Sequence, residues 1–489
     1  MNARGVALTR AIAVAAVLAT GAAPSFPLAE RGVPPKPGPA RPLALPPLER
    51  LALSNGLPVV LVGMHEVPVA EVILVVGAGA IADPAGREGL AHLTAEMLDE
   101  GAGGRDALAL ADAVDFLGAT LEAGATWDAA TVRLRVPVAR LGEALPLMAD
   151  VALRPDFPGS ELERLRKEAL TDLLQARDVP ARIASRALTQ AVFGKAHRYG
   201  RPQTGDTAAL SALSVADLRA FHAQRYAPAG ASLVVVGDVT AASVRPLLEK
   251  AFGAWPAPAA AVAAPSVAVP PQLRGRTVWL VDKPGAAQSS IRVGRVGASW
   301  ADPQYTAAEV MNTLLGGSFT SRLNDNLREQ HGYTYGARSA FLRYRAGGLF
   351  LALADVQSDK TAPAVTEFFA ELARIRTPAT VQEIERARSY SALGYAAEFE
   401  TTLQVAARVV EKVVYDLPDD FFEQYVPKAL AVDVAALQKA AQASIDPARL
   451  ALVVVGDRAK VEAPLRALSL GALRTLTVEE VMGPAPKVE

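Results

Sequence analysis

Leu233–Asp238 reads LVVVGD, and the same six residues return at Leu452–Asp457, an offset of 452 − 233 = 219 positions. One apolar hexapeptide recurs by chance often enough to prove little. Further matches fall in the same register: Asp83-Pro84 with Asp302-Pro303, Val215 and Leu218 with Val434 and Leu437, and Pro228 with Pro447. Self-similarity at one fixed period is how a duplicated structural unit declares itself in sequence. The chain therefore reads as two related halves. Pro256 to Pro271 separates them, almost entirely alanine, proline and valine, which is a semi-rigid linker composition.

Within each half the pattern repeats. Stretches rich in β-branched residues predict strands near Leu57–Val62, Val69–Val76, Thr131–Val136 and Ser232–Val236. Helical patterns cover Gly86–Glu100, Ser160–Arg177 and Val215–Arg225. The second half predicts strands near Thr277–Leu280, Ser290–Arg295, Gly348–Leu353 and Leu450–Val455, with a helix near Tyr305–Leu315. Hairpin-like strands between helices argue for α+β: two homologous α/β-sandwich halves, mostly antiparallel sheets with helices packed on them, rather than a doubly wound sheet. The expected divisions are 48–255 and 273–486 for the halves, with a linker at 256–272.

Composition narrows the function. The 489 residues are 51% hydrophobic, enough for a large core and too apolar for a disordered chain. Lys plus Arg total 50 against 51 acids, with no basic run, which argues against nucleic acid as a partner. There is no cysteine, so disulfides, a thiol nucleophile and thiolate-bound zinc are all excluded. Imidazole chemistry rests on five residues: His65, His92, His197, His222 and His331. Arg4 and Arg10, the apolar run Ala11–Ala19 and the small residues Gly21 to Ala23 predict a secretory signal over 1–23. A proline-rich leader is expected over 24–47, and no later stretch is long and apolar enough to span a membrane. The expected location is a bacterial periplasm or cell surface.

The segment Gly86–Gly101 contains His92 and Glu96, four apart and so on one helical face. Its form is that of the two-ligand helices of zinc peptidases, in which a neighbouring carboxylate activates water. On these residues the chain resembles the pitrilysin/insulinase family of inverted-motif zinc peptidases, close to its processing-peptidase branch. The family's H-x-x-E-H would run from His92, with the base position at Ala95 and the second histidine position at Glu96. The third ligand, a glutamate about 76 residues on in this family, falls on Asp172 (172 − 96 = 76). Without a carboxylate at Ala95 the motif has no general base, an assistance worth about 10²–10⁴-fold. The resemblance thus implies a degenerate motif at His92, Ala95, Glu96 and Asp172 and no metal bound there. Glu122-Ala123 also replaces the Asn-Ala pair usual on the family's substrate-binding edge strand.

The second half keeps a different family feature. Leu315–Gly336 reads LGGSFTSRLNDNLREQHGYTYG, with a glycine break, a helix stopping near Gly332, and Arg328 seven residues before Tyr335. In the family this pair reaches a peptide held at the zinc site, and both side chains donate hydrogen bonds to a carbonyl oxygen gaining charge. One such donor is commonly worth about 2.7–4 kcal/mol in the transition state. Phe193–Gly205, containing His197, also resembles a family stretch and reads as local structure. The resemblance covers about residues 45–486. It implies a non-zinc subunit of a two-chain exported metallopeptidase, its cofactor-free chain lending Arg328 and Tyr335 to a homologous H-x-x-E-H chain that holds zinc and acts on peptides. An inactive structural or peptide-binding scaffold, and an autonomous peptidase with altered ligands, are the alternatives.

Overall fold

A computed structural model describes residues 38–256 and 265–487. The expected signal over 1–23, residues 24–37 of the leader and 257–264 of the linker lie outside the described residues. The described ends of leader and linker, 38–47 and 265–272, carry no helix or strand.

The first half builds a six-stranded sheet from β1 (Leu48–Ala52), β2 (Pro58–Gly63), β3 (Val69–Val76), β4 (Thr120–Ala125), β5 (Ala130–Pro137) and β6 (Ala231–Gly237). Their spatial order is β1-β2-β6-β3-β5-β4. β5 shows why the alternation folds as it does. Ala130, Val132, Leu134 and Val136 point into the core, while Thr131, Arg133 and Arg135 face outward. β3 is buried on both faces and reads as an almost unbroken apolar run, as a central strand must. Helices α1 (Leu90–Glu96), α2 (Leu141–Leu153), α3 (Gly159–Ala176) and α4 (Pro180–Phe193) accompany it.

The second half repeats this plan of strands. Its strands are β7 (Thr277–Asp282), β8 (Gln288–Gly297), β9 (Thr334–Tyr344), β10 (Gly347–Gln357), β11 (Ala451–Gly456) and β12 (Leu473–Thr477), ordered β9-β10-β8-β11-β7-β12. Pro58–Gly63 moved by 219 positions is Thr277–Asp282, and Val215–Arg225 becomes the helix Val434–Ser444. Strand order is kept across both sheets. Pairing sense differs at the outer edge, where β1 runs antiparallel to β2 but β12 runs parallel to β7, and among the described residues the first-half helix Ala107–Phe116 has no α-helical counterpart of its length at that offset. Helices α5 (Tyr305–Asn312), α6 (Thr361–Arg374), α7 (Val381–Gly394) and α8 (Thr402–Tyr415) complete the half.

Each half lends one helix to the other. On α4, Ile183, Ala184, Ala187, Leu188 and Ala191 form the apolar stripe of an amphipathic helix. That stripe packs on Val281, Val453 and Val455 of the second sheet. In return α8 lies on β3 and β6 of the first sheet, burying Val405, Ala406 and Val409. Asp128 reinforces the exchange, accepting hydrogen bonds from the Arg345 amide and the Tyr415 hydroxyl, both at 3.1 Å. The halves are thus one packing unit, which two separate sandwiches on a linker would not be. No helix among the described residues is long and apolar enough to cross a membrane.

Two helices differ from their sequence reading. The predicted Gly86–Glu100 helix shortens to Leu90–Glu96 because Gly86 and Gly89 adopt φ of 78° and 93°. The buried carboxylate of Asp83 then accepts from the amides of Gly89 and Ala91, both at 2.8 Å, fixing the entry of α1. The predicted Tyr305–Leu315 helix stops at Asn312 and widens into a π-helical turn, Thr313–Gly317.

Candidate functional site

On α1, His92 and Glu96 do share a face, with His92 Nε2 3.2 Å from Glu96 Oε1. The opposite ring nitrogen, His92 Nδ1, is buried without a hydrogen-bond partner. Ala95 is fully buried against the core, so the base position offers only a methyl group. Asp172 lies on α3 and is already engaged: Arg182 donates Nη1 to one carboxylate oxygen at 2.7 Å and Nη2 to the other at 2.5 Å. That guanidinium holds the Asp172 carboxyl below its usual range. A ligand position satisfied by a bidentate cation is a poor zinc donor. Among the described residues no three histidine, aspartate or glutamate side chains gather as a metal site. The residues present therefore do not fit a zinc ion.

Negative charge nevertheless accumulates just after this helix. Burial, aided by the Glu100, Glu96 and Glu122 carboxylates, pushes Asp99 up to about 6. Glu122 sits on the edge strand β4 and is paired with Arg133 of β5. An ion pair thus stands where the family's substrate-binding amide would be.

The second half builds its pair on a dense polar frame. At Gly316 the π-helical turn comes so close to β9 that an added Cβ would lie 2.4 Å from the Ser339 amide nitrogen. Buried Asn312 clamps that approach, donating to the Ser339 carbonyl at 3.2 Å and accepting from its hydroxyl at 2.7 Å. Asn324 donates to the Phe319 carbonyl at 2.7 Å and accepts from the Ala337 amide at 3.1 Å. Arg322 makes a bidentate pair with Glu383 of α7, both contacts at 2.8 Å. Asn326 ties the next turn to Glu367 and Glu371 of α6 at 3.0 Å.

Arg328 is carried on a second π-helical stretch, Asp325–Gln330, a form of turn that is frequent at functional sites. Its guanidinium lies over the Phe319 ring at 4.6 Å, and Nη1 sits 3.3 Å from Glu329 Oε1 without a hydrogen bond to it. Tyr335 occupies a β-bulge, where the β9–β10 register slips between Thr334 and Ala337. Bulges re-aim side chains, and this one leaves Tyr335 92% exposed. Thr334 holds the bulge shut, donating to the Asp355 carbonyl at 2.7 Å and accepting from the Gly336 amide at 3.1 Å. Phe319 and Tyr335 line one open groove of about 660 Å³ with Gly316–Ser318, Arg338 and Asp355. Arg328 does not line that groove; its guanidinium stacks on Phe319, which does.

The other histidines are spoken for. His197 accepts from the Tyr199 amide and meets the Ala268 carbonyl at 2.8 Å. His222 stacks on Tyr226, and burial lowers its pKa. His65 pairs with Asp238 at the surface, and His331 contacts the Asn326 carbonyl. Sequence reasoning missed Phe319, the asparagine clamps and the Arg322–Glu383 pair. The available signal was polar residues at positions where a helix should be apolar: Arg322, Asn324 and Asn326 are all buried.

The model described as insulinase, peptidase family M16, matches residues 59–205, and that described as the peptidase M16 inactive domain matches residues 212–390. An uncharacterized zinc protease of Mycobacterium leprae is 29% identical over 60% of this chain and 65% of its own length. The match thus spans a little under two thirds of that relative. One of Bacillus subtilis is 24% identical over 62% of this chain and 72% of its own. The crystal structure of a peptidase M16 inactive domain from Pseudomonas fluorescens aligns with a TM-score of 0.78 and 26% identity, covering 84% of this chain and 98% of that one. A protease from Helicobacter pylori shares the fold at a TM-score of 0.76 and 21% identity, over 84% of this chain and 100% of that one. Two adjoining matches to one family, the duplicated fold and the quoted motifs agree: the chain belongs to the pitrilysin/insulinase family of metallopeptidases.

Proposed function

We propose that the chain is the non-zinc subunit of an exported two-chain metallopeptidase, contributing Arg328 and Tyr335 to a peptide held by a homologous H-x-x-E-H chain. One contrast carries this reading. The first half has a methyl group for a base and an Arg182-bound carboxylate for a ligand, while the second half spends a network of buried asparagines on displaying Arg328 and Tyr335. Such investment in presenting two donors suits residues that act on something outside the chain. The part-exposed Arg328 guanidinium, whose Nη1 is itself buried beside Glu329, would turn its outer edge, together with the exposed Tyr335 hydroxyl, to a scissile carbonyl as its oxygen becomes negative. Zinc chemistry would be the partner's contribution.

The test mixes the purified chain with an H-x-x-E-H homologue encoded in the same genome and follows cleavage of unstructured peptides. Turnover only in the mixture, falling about 10²–10³-fold with Arg328→Ala, is the expected result. Zinc-dependent turnover by the lone chain would refute the proposal. Absence of both association and turnover would make the chain a scaffold.

A further inference from the structure

The second half contains a cavity of about 810 Å³ on the far side of Gly317 and Tyr390 from the Tyr335 groove. Its walls are aromatic. Trp300 and Tyr305 stack at 5.6 Å, Tyr395 and Tyr425 stack at 4.1 Å, and Phe341 closes a side. Arg343 lies over Tyr305 at 4.4 Å, its side chain 5% exposed and paired with Glu309. Arg408 at the rim is likewise paired with Glu398. Arg343 Nε and Trp300 Nε1 are both buried without hydrogen-bond partners.

The duplication supplies a control, because the same framework exists in the first half. Shifted by 219 positions, Trp300, Tyr305, Phe341, Arg343, Tyr395 and Tyr425 correspond to Ile81, Gly86, Glu122, Gly124, Ala176 and Asp206. The aromatic box is therefore not a requirement of the fold. It was built once, in the half that carries Arg328 and Tyr335. Its size and mixed lining are those of ligand sites, about 300–1,000 Å³ of mostly apolar and aromatic wall with a few polar groups. Both cations are neutralised within the cavity, so nothing in it selects a charged ligand. Flat apolar walls select an aromatic one.

We infer that this cavity is a recognition pocket for an uncharged peptide segment bearing an aromatic side chain, sharing Gly317 and Tyr390 as walls with the Tyr335 groove. As a statement about substrate class it rests on the proposed function, but the binding itself needs no partner. Gly394 lines the pocket with helical φ of −76°, and a Cβ added there meets nothing within 4 Å. Gly394→Phe should therefore fill the cavity without disturbing the fold.

The experiment titrates the full lone chain with the capped tripeptides Ac-Ala-Tyr-Ala-NH₂, Ac-Ala-Glu-Ala-NH₂ and Ac-Ala-Lys-Ala-NH₂, by calorimetry and tryptophan fluorescence. Expected are saturable binding of the tyrosine peptide, at least tenfold weaker binding of the charged ones, and a fluorescence response lost in Trp300→Phe. Gly394→Phe should weaken tyrosine-peptide binding at least tenfold with an unchanged thermal midpoint, and Gly394→Ala should bind normally. Absence of saturable binding, or binding indifferent to Gly394→Phe, would overturn the inference. Tripeptide binding that persists while the two-chain mixture shows no turnover would refute the proposed function and leave the pocket standing.

Discussion

Arg322→Met tests whether the frame beneath Arg328 is held by charge. Arg322 is 6% exposed at its side chain and Glu383 14%, so both ends of the pair are largely out of water. Two hydrogen bonds from the guanidinium are the chief cause that lowers Glu383 from 4.5 to about 2. A shift of that size corresponds to about 3 kcal/mol of native-state stabilisation, an upper bound for Arg322 because the Thr380 hydrogen bonds that the variant keeps supply part of it. The cost of stranding a buried charge by deleting its partner, about 3–5 kcal/mol, agrees. Because the folded carboxyl has the lower pKa, the contribution is fully present above about 4.5 and is lost as the pH falls through about 2. Urea denaturation of wild type and variant at pH 7 should differ by about 3 kcal/mol, and the gap should shrink steadily between pH 4.5 and pH 2.5. Methionine keeps the stem of the side chain, and Glu383 still closes its capping box with Thr380, so the cap is left intact. A loss below 1 kcal/mol, or a gap indifferent to pH, would refute the buried-pair account. Arg328 and Tyr335 would then owe their placement to the asparagine clamps alone.

Leu188→Ala, at a side chain 1% exposed on the exchanged helix, should cost about 2–5 kcal/mol. Hydrogen exchange should show the protection lost in the second-half strands β8 and β11, although the mutation lies in the first half; loss confined to the first sheet would contradict the exchange. Asp99→Asn should stabilise the chain at pH 7 by about 1–3 kcal/mol, read from denaturation midpoints. The folded carboxyl titrates near 6 rather than 3.8, so wild-type stability falls as the pH rises between those values, and the variant should lack that fall. Ala95→Glu with Glu96→His should not restore stoichiometric zinc by mass spectrometry, because Arg182 still occupies Asp172. Adding Arg182→Ala and Asp172→Glu should restore it.

Much of this architecture was legible because the fold is written twice. A strand such as Val69–Val76 is ambiguous alone, yet its return at the same offset as Gln288–Gly297 makes both secure. The α4/α8 exchange was not legible, since the stripe at Ile183, Ala187 and Leu188 says only that the helix buries one face. Which sheet receives that face is decided by tertiary packing, to which periodicity is blind. The metal helix was overextended for a local reason: a glycine at positive φ is invisible until the backbone is seen, and Gly86 and Gly89 both adopt one. Arg328 and Tyr335 were singled out by the family resemblance, and the bulge that exposes Tyr335 leaves only Gly336 as a trace in sequence.

The two halves separate what the fold demands from what a function demands. Positions alike in both copies, such as the LVVVGD strands and the Asp-Pro pairs, answer to packing, because packing is what the copies share. Positions that diverge while the strand order stays the same answer to something else. The second half has Ser391 where the first has Asp172, and aromatic rings where the first has small or acidic residues. The first half has a buried alanine, Ala95, where the resemblance places a base, and Asp172 is tied to Arg182. A chain decaying without constraint would not be expected to keep Asn312, Asn324, Asn326 and Arg322 all buried, each with at least one hydrogen bond, beside an arginine and an exposed tyrosine. Buried polar groups are costly, and this network leaves Asn326 Oδ1 and Arg322 Nη1 without hydrogen-bond partners, so its retention is what the proposed role of Arg328 and Tyr335 predicts.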